Sequence, residues 1–457
     1  MKKLALMLLI LLVMLAACST SNTSSDTTAP SINLSASPTS LTSAGAVTLS
    51  ATASDASGIA SVTFLRNGTE LSTDSSSPYS YSDSLTSANN GTISYTAKAV
   101  DSSSNANTAT SEPITVTVNI DGSTGGDGIS AGTAAQVLSA TNAFLATLND
   151  SQKSTVVLSH SQSNAVKWSN LPVGGVPRNG ISLGSLSSSQ LTAAKAVIEA
   201  AMGTLNDEGY EEVLQVLAAD DVLAGSQSNG YGAGLYYLAF LGTPSATGTW
   251  QLQFGGHHLA VNITYKNGMI TGVTPTFKGL EPKCWTGSGS SATANDCTSP
   301  DSDSYAPLYG EKTTLNAMFA ALSSSQLATA KLSQSFGDVL LGPGNDGAFP
   351  TTKSGLRVGD LNDGQKALVL AAIRLWVDVD DTTATALMQI YENELDETYI
   401  AYSNSYTLAS QGNYIRIDGP SVWIEVVMQN GVIYRNEIHY HTIVRDRNRD
   451  YGAEFSF

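Results

Sequence analysis

The sequence predicts two folded domains: a small all-β sandwich, followed by a larger α+β domain with antiparallel strands and several capped helices. Two observations predict this division. Short β-rich runs separated by turn residues fill residues 29–120, whereas helix-start motifs and longer strands alternate within residues 133–457. The chain has 457 residues, of which 42% are hydrophobic, so it can bury more than one core.

The N-terminus predicts an exported, lipid-anchored protein. Lys2 and Lys3 precede an apolar run over residues 4–17, which is shorter than the roughly 20 residues that span a bilayer and is typical of a signal peptide. The run ends in Leu15-Ala16-Ala17-Cys18, which resembles a lipobox with Cys18 as the lipidated residue. Ser19 follows, as in lipoproteins sorted to the outer membrane. We therefore expect residues 1–18 to direct the protein to the cell envelope, outside the cytoplasm.

Charge excludes one large class of partners. The net charge is -17, and only 13% of residues are charged. Phosphate backbones are bound by basic patches, so we expect no nucleic-acid partner. Electrostatic docking on anionic lipid is disfavoured for the same reason. The expected partners are the membrane, through the lipid anchor, and a small ligand or metal ion.

Two further cysteines predict a disulfide. With Cys18 lipidated, Cys284 and Cys297 remain, and an oxidising compartment allows them to pair. The intervening residues 285–296 are rich in Gly, Ser and Thr, so a disulfide would join the ends of a loop. The alternative is a pair of metal-binding thiolates, although no C-x-x-C spacing is present.

Residues 29–120 predict the β-sandwich. A polar tether, residues 19–28, precedes this region. Asn67-Gly68 and Asn90-Gly91 are turn signals of β-hairpins. The predicted strands cover residues 47–52, 62–65, 93–100 and 114–118.

This first domain resembles a bacterial immunoglobulin-like repeat. The resemblance rests on Ala29-Pro30, on Phe64-Leu65-Arg66-Asn67-Gly68 and on Ala99-Val100-Asp101. It implies an immunoglobulin-like sandwich that serves either as a spacer or as a ligand-binding module.

A Gly-rich linker, residues 121–132, leads to the α+β domain of residues 133–457. Four motifs there place Asn or Ser three residues before Gln, the spacing of a capping box. Their irregular separation is compatible with an internal duplication and argues against a solenoid. The motifs are Leu148-Asn149-Asp150-Ser151-Gln152, Leu186-Ser187-Ser188-Ser189-Gln190, Leu322-Ser323-Ser324-Ser325-Gln326 and Leu361-Asn362-Asp363-Gly364-Gln365.

Strands are predicted between and after these helices. Residues 250–265 form one hairpin arm and residues 269–273 return after Asn267-Gly268. Near the C-terminus, residues 414–418, 422–428 and 432–444 are expected to be consecutive antiparallel strands.

Four of the five histidines lie in two short motifs on these predicted strands. On a regular strand, Glu437, His439 and His441 share one face, and two imidazoles at i and i+2 can converge on one ion. Gly255-Gly256 precedes His257 and His258, and a bulge there would let either ring join the same site. Imidazole ligands suit zinc or copper. The alternative is that the histidines are hydrogen-bonded without an ion.

The larger domain resembles the uncharacterised family known as domain of unknown function 3500. The resemblance covers residues 135–455 and implies an extracytoplasmic bacterial domain without an assigned reaction. It rests on Trp168-Ser169-Asn170-Leu171-Pro172, Arg178-Asn179-Gly180, residues 250–262, Pro275-Thr276-Phe277, residues 414–420, Glu425, His439-Tyr440-His441, Arg445-Asp446 and Asp450-Tyr451-Gly452.

These features leave three functional hypotheses. The first is a metal-dependent hydrolase or oxidoreductase, with Glu425 or Glu437 as general base. The second is a non-catalytic lipoprotein that binds a metal or small ligand, and the third is a structural or adhesive surface protein. In the first two, the candidate pocket residues are Arg178, Arg416, Arg445 and Asp450.

Overall fold

A computed structural model describes residues 26–41, 45–85, 89, 91–118, 128–203, 208–226, 230–287, 292–294, 304–377 and 379–457. The chain forms two compact units, an N-terminal β-sandwich and a C-terminal α+β domain. Among the described residues, no helix has both the length and the hydropathy needed to cross a membrane.

The N-terminal unit consists of two facing sheets. One has the order β1-β3-β6, and the other has the order β2-β9-β7-β4-β5 with β8 beside β7. Each predicted strand lies within an observed strand, and Asn67-Gly68 forms the β4–β5 turn. The strands are β1 (Ser31–Ser37), β2 (Ser40–Leu41), β3 (Gly45–Ser54), β4 (Ile59–Arg66), β5 (Thr69–Asp74), β6 (Tyr79–Leu85), β7 (Gly91–Asp101), β8 (Thr108–Thr110) and β9 (Ile114–Val118).

Alternating side chains fill the centre of this sandwich, because successive residues of a strand point to opposite faces. Val47, Leu49, Phe64 and Tyr95 are fully buried there. The Tyr95 hydroxyl donates a hydrogen bond to the buried Asp83 carboxylate at 2.6 Å, so this polar group does not remain unpaired in the core.

The four predicted caps each begin a helix of the C-terminal domain. Asn149, Ser187, Ser323 and Asn362 each accept a hydrogen bond from the backbone N–H of the Gln three residues later, and that Gln side chain bonds back to the cap. The helices are α1 (Ala134–Ala146), α2 (Asp150–Val156), α3 (Gln162–Ala165), α4 (Ser188–Met202), α5 (Tyr210–Ser226), α6 (Tyr309–Ala320), α7 (Ser324–Ala330), α8 (Asp363–Arg374) and α9 (Asp381–Asn393).

One long, mainly antiparallel sheet forms the centre of this domain, with the order β10-β12-β13-β14-β16-β24-β23-β22-β21-β20. Strand β11 pairs with β12, β15 pairs with β14, and β17, β18 and β19 form a separate small sheet. The strands are β10 (Val157–Leu158), β11 (Ile181–Ser182), β12 (Tyr237–Leu241), β13 (Thr249–Gly255), β14 (Leu259–Lys266), β15 (Met269–Gly272), β16 (Thr276–Leu280), β17 (Trp285–Thr286), β18 (Thr293–Ala294), β19 (Ser304–Tyr305), β20 (Leu356–Arg357), β21 (Tyr399–Ser403), β22 (Tyr414–Asp418), β23 (Val422–Asn430) and β24 (Ile438–Asp446).

The two faces of the long sheet are covered differently. On one face, which we call the helix face, strand residues such as Leu252 and Ile424 pack with helix residues such as Val197 and Ile373. On the other, which we call the loop face, a second core packs strand residues such as Ile443 against Trp168, Phe336 and Tyr451, which lie outside the α-helices and strands. The loop face therefore carries side chains whose neighbours come from irregular segments.

The second half of the domain repeats the first. The order α1, α2, β11, α4, α5, β12, β13, β14, β16 is matched by α6, α7, β20, α8, α9, β21, β22, β23, β24, and the halves meet where β16 pairs with β24. The Gly256 N–H donates to the Leu259 carbonyl in the first hairpin turn, and the Gly419 N–H donates to the Val422 carbonyl in the second.

The hydrogen bonds between the glutamine side chains of the capping boxes are also repeated. Gln152 and Gln190 exchange side-chain hydrogen bonds in the first half, as Gln326 and Gln365 do in the second, with the same 3.0 and 3.3 Å distances. The repeated motif therefore belongs to an internal duplication that builds one continuous sheet.

Two strand predictions were wrong. Residues 250–265 are not one strand, because residues 256–258 turn the chain between β13 and β14. The last strand begins at Ile438 rather than at residue 432, because residues 431–437 form the loop after β23. Cys18 and Cys297 lie outside the described residues. Cys284 is buried, and its pairing with Cys297 stays a prediction.

Candidate functional site

Strand β24 places two histidines side by side on the loop face. His439 and His441 are two residues apart, so both point to the same side of the sheet. Their Nε2 atoms are 3.2 Å apart. Two nitrogens bound to one tetrahedral zinc ion at about 2.0–2.1 Å would be about 3.3 Å apart. The spacing of this pair therefore matches two ligands of one ion.

The third histidine comes from the turn between β13 and β14. The ring of His258 lies 5.3 Å from the rings of His439 and His441, and one nitrogen of each residue lies within 4.8 Å of the others. We call these three residues the histidine cluster. The prediction that both motifs lie on strands was wrong here, since the turn, with φ of +62° at His258, aims this ring at β24.

Two backbone hydrogen bonds hold His258 in the left-handed conformation. Its N–H donates to the Asn170 carbonyl at 3.1 Å, and its carbonyl accepts from the Gly279 N–H at 2.6 Å. These bonds offset the cost of a positive φ at a residue with a side chain.

Gly279 leaves the space that the His258 ring occupies. Gly279 lies opposite His441 in the β16–β24 pair. A Cβ atom at position 279 would lie 2.8 Å from Cδ2 of His258 and 3.0 Å from the Tyr440 carbonyl oxygen. Any larger residue would therefore push the ring away from the two histidines of β24.

His257 supports the cluster from behind. Its ring stacks on that of His258 with the centroids 3.7 Å apart. Its Nδ1 atom lies 2.6 Å from Oδ1 of Asp220, which is buried on α5. Sequence reasoning missed Asp220, although Val213, Val216 and Leu223 mark its position as the buried side of a helix, where an aspartate needs a partner.

Asp338 orients His441. The Nδ1 atom of His441 lies 2.9 Å from Oδ1 of Asp338. When Nδ1–H donates to this carboxylate, Nε2 keeps its lone pair free toward the cluster, as in carboxylate–histidine–metal arrangements. Burial tends to raise the pKa of Asp338, but the hydrogen bonds from His441 and from the Val339 N–H outweigh it and lower the pKa. No sequence motif pointed to this loop residue.

The cluster favours neutral imidazoles. Burial, followed by the charges of the neighbouring histidines, lowers the pKa of His258 well below its usual value. Burial and then His441 lower the pKa of His439 to about 3. Both rings therefore present lone pairs at neutral pH, which is the form that a metal ion requires.

Glu425 does not act as a free base in this structure. Its fully buried carboxylate accepts hydrogen bonds from the Leu340 and Leu341 N–H groups, the Tyr414 hydroxyl and the Trp423 indole at 2.6–2.9 Å. Burial raises its pKa. Glu425 therefore fixes the segment after Asp338 to the sheet. Glu437, the other proposed base, lies in the loop before β24 and not on the strand.

The four candidate pocket residues brace loops. Arg178 donates to the Ser169 carbonyl at 2.8 Å and to the Gly256 carbonyl at 3.0 Å, so it supports the turn that carries His258. The remaining contacts are those of Arg445 with Asp346 and Asp450 at 2.9 and 3.0 Å, and of Arg416 with the Ser354 carbonyl at 3.3 Å.

We expect Gly279→Ala to destabilise the metal-free protein by about 1–3 kcal/mol, because overpacking a filled site forces neighbours to shift. Urea denaturation in EDTA measures the change. The matched control is Gly337→Ala, whose added Cβ meets no atom within 4 Å. Equal stability of the two variants would contradict the packing of His258 on Gly279.

The metal-free protein should lose stability in acid through His439. Its folded pKa of about 3 lies below the ordinary 6.5, so the unfolded chain binds the proton first. The stability that depends on a neutral His439 is fully present above about pH 6.5, and it is lost as the pH falls toward 3. Denaturation in EDTA should show that the unfolding free energy of His439→Gln falls less steeply with decreasing pH than that of the wild type, by about one proton. Identical slopes in variant and wild type would contradict a neutral, buried His439.

Comparisons with known proteins identify both units. Residues 30–97 match the family model of a bacterial Ig domain. A solved structure of Clostridium thermocellum CbhA fibronectin(III)-like modules is similar at 25% identity over 20% of this chain and 46% of that chain, with a TM-score of 0.17. No curated protein matches the chain. Residues 130–453 match the family model described as protein of unknown function (DUF3500), and the chain belongs to this family.

Proposed function

We propose that the C-terminal domain binds one transition-metal ion through His258, His439 and His441. The observation that carries the proposal is the convergence of three buried imidazoles whose ligand atoms lie within 4.8 Å of one another. The 3.2 Å distance between the Nε2 atoms of His439 and His441 supports it, since two ligands of one ion need this spacing.

Hydrogen bonding alone explains this cluster poorly. His439 and His441 can share one proton between their Nε2 atoms, and Asp338 accounts for Nδ1 of His441. Among the described residues, Nδ1 of His439 is buried and has no hydrogen-bond partner. A buried imidazole nitrogen that lacks a partner is costly, so hydrogen bonding within the cluster does not by itself account for the burial of these rings.

The donor set suits zinc or copper. Neutral imidazoles are preferred by both ions, whereas calcium and magnesium prefer oxygen ligands. Asp338 would raise the basicity of His441 and fix its ring plane. Asp220 would hold His257 against the back of His258.

Metal binding without catalysis is the form of this function that the geometry favours. The three rings are only 1–5% exposed, and the predicted base Glu425 is saturated by four donors. A three-histidine site keeps a fourth position for water or another small ligand. Metal-dependent turnover would need a path by which a substrate reaches that position. A screen of candidate substrates would detect such turnover.

We also propose that this domain is held at the cell envelope, on the outer membrane, by lipid on Cys18. The apolar run and the small residues before Cys18 support this location. The β-sandwich would then act as a spacer between the lipid and the metal-binding domain.

The full mature chain, stripped with EDTA and dialysed against Zn²⁺ or Cu²⁺, should retain about one equivalent of metal by elemental analysis. Alanine at His258, His439 or His441 should abolish stoichiometric binding. Asp338→Asn should keep the ion with about 10–100-fold weaker affinity, because it removes only the partner that orients a ligand.

The matched control for metal binding is His160→Ala, which removes the histidine outside the two motifs. It should bind metal as the wild type does. A wild-type protein that retains neither ion, or cluster variants that bind as well as this control, would leave the histidines as packing residues.

Cys18→Ser should abolish lipid attachment. In a bacterial host the wild type should partition into the detergent phase of Triton X-114, and the variant should move to the aqueous phase, since the acyl chains supply the membrane affinity. Ser21→Ala is the control and should remain in the detergent phase. Unchanged partitioning of Cys18→Ser would contradict the anchor.

A further inference from the structure

A cleft of about 210 Å³ lies between α4 and α5 in the first half of the C-terminal domain. Its walls are mainly leucine and alanine side chains of the two helices, and its floor is formed by the short 3-10 turns Leu183–Ser185 and Ala233–Leu235. An apolar cavity of about 150 Å³ holds a benzene molecule, so this cleft can accept a small apolar group.

The second half carries different side chains at the corresponding positions. Gln190 and Gln365 end equivalent capping boxes. Strand β12 begins two residues after the 3-10 turn Ala233–Leu235, and β21 begins two residues after the 3-10 turn Leu395–Glu397. By this match, Leu191 corresponds to Lys366 and Gly234 corresponds to Asp396. Lys366 and Asp396 form an ion pair at 2.6 Å, which ties α8 to its turn.

At a third matched position the first half carries the smaller residue. Ala233 on the rim of the cleft corresponds to Leu395, whose side chain is buried in the core of the second half. In the first half, small residues and an apolar wall take the places of a leucine and an ion pair. The matched positions around the cleft therefore differ in size and polarity between two otherwise repeated structures.

One cation faces this cleft. Lys195 lies one helical turn after Leu191, on the same side of α4. It forms no ion pair with any residue that the structure describes. Asp221 also lines the cleft, but its Oδ1 accepts a hydrogen bond from the Ala233 N–H at 2.8 Å, which ties this carboxylate to the backbone of the floor. Lys195 is therefore the charged side chain of the lining that is left to pair with an occupant.

We propose that this cleft binds a small monocarboxylate with an apolar chain of medium length. The chain would pack between Leu191, Leu214 and Leu217, and the carboxylate would pair with Lys195. This site is separate from the histidine cluster, and binding at it does not require a metal ion.

Isothermal titration calorimetry of the full mature chain with octanoate tests the proposal. Octanoate should bind at one site, more tightly than octylamine. Lys195→Met should weaken octanoate about tenfold, because a charge-assisted contact is lost, and should leave 1-octanol unchanged. Binding of octylamine equal to that of octanoate, or an unchanged octanoate affinity in Lys195→Met, would overturn the assignment.

Two further variants test the location. Ala233→Leu introduces the leucine that the second half carries at the matched position 395. Gly234→Asp introduces the aspartate that the second half carries at the matched position 396. Each should abolish octanoate binding while thermal unfolding remains cooperative. Gly234→Asp covers the case in which Ala233→Leu does not fold, since an added Cβ at Gly234 has its nearest contact at 3.4 Å. Octanoate binding that survives in a folded variant would place the ligand elsewhere and overturn the proposal.

Discussion

The antiparallel pairing of β16 with β24 is the contact on which the C-terminal domain depends. It joins the two repeated halves into one sheet and sets Gly279 opposite His441. The histidine cluster spans this seam, because His258 comes from the first half and His439 and His441 come from the second. A slip of one residue would turn both β24 histidines to the helix face, so the register of this pair and the geometry of the cluster are one constraint.

The two halves use the same plan with different chemistry. In the first half, the carbonyl of His258, the residue before β14, accepts a hydrogen bond from the Gly279 N–H. In the second half, the carbonyl of Ser421, the residue before β23, accepts the matching hydrogen bond from the Arg447 N–H. Glu394 at the end of α9 accepts hydrogen bonds from Ser421 at 2.8 Å, whereas Asp220 on α5 binds His257. The first half therefore differs from the second at this turn, where it carries His257 and His258, and at Gly279, where the second half carries Arg447.

Local signals predicted much of the fold and part of the site. The four capping boxes depend on contacts between residues three apart, and the His-x-His motif depends only on strand alternation, so both were found from the sequence. The turn at His258, the partners Asp220 and Asp338, and the saturation of Glu425 depend on contacts between residues far apart in the chain. A periodic pattern carries no information on those contacts.

Helix α5 connects the cleft with the cluster. Asp220 accepts the Gly232 N–H at 2.7 Å and also binds His257, while Asp221 accepts the Ala233 N–H and lines the cleft. Two adjacent carboxylates thus hold one short piece of backbone. The wall of the cleft and the support behind His258 are parts of the same element, so repacking of either must be accommodated by the other.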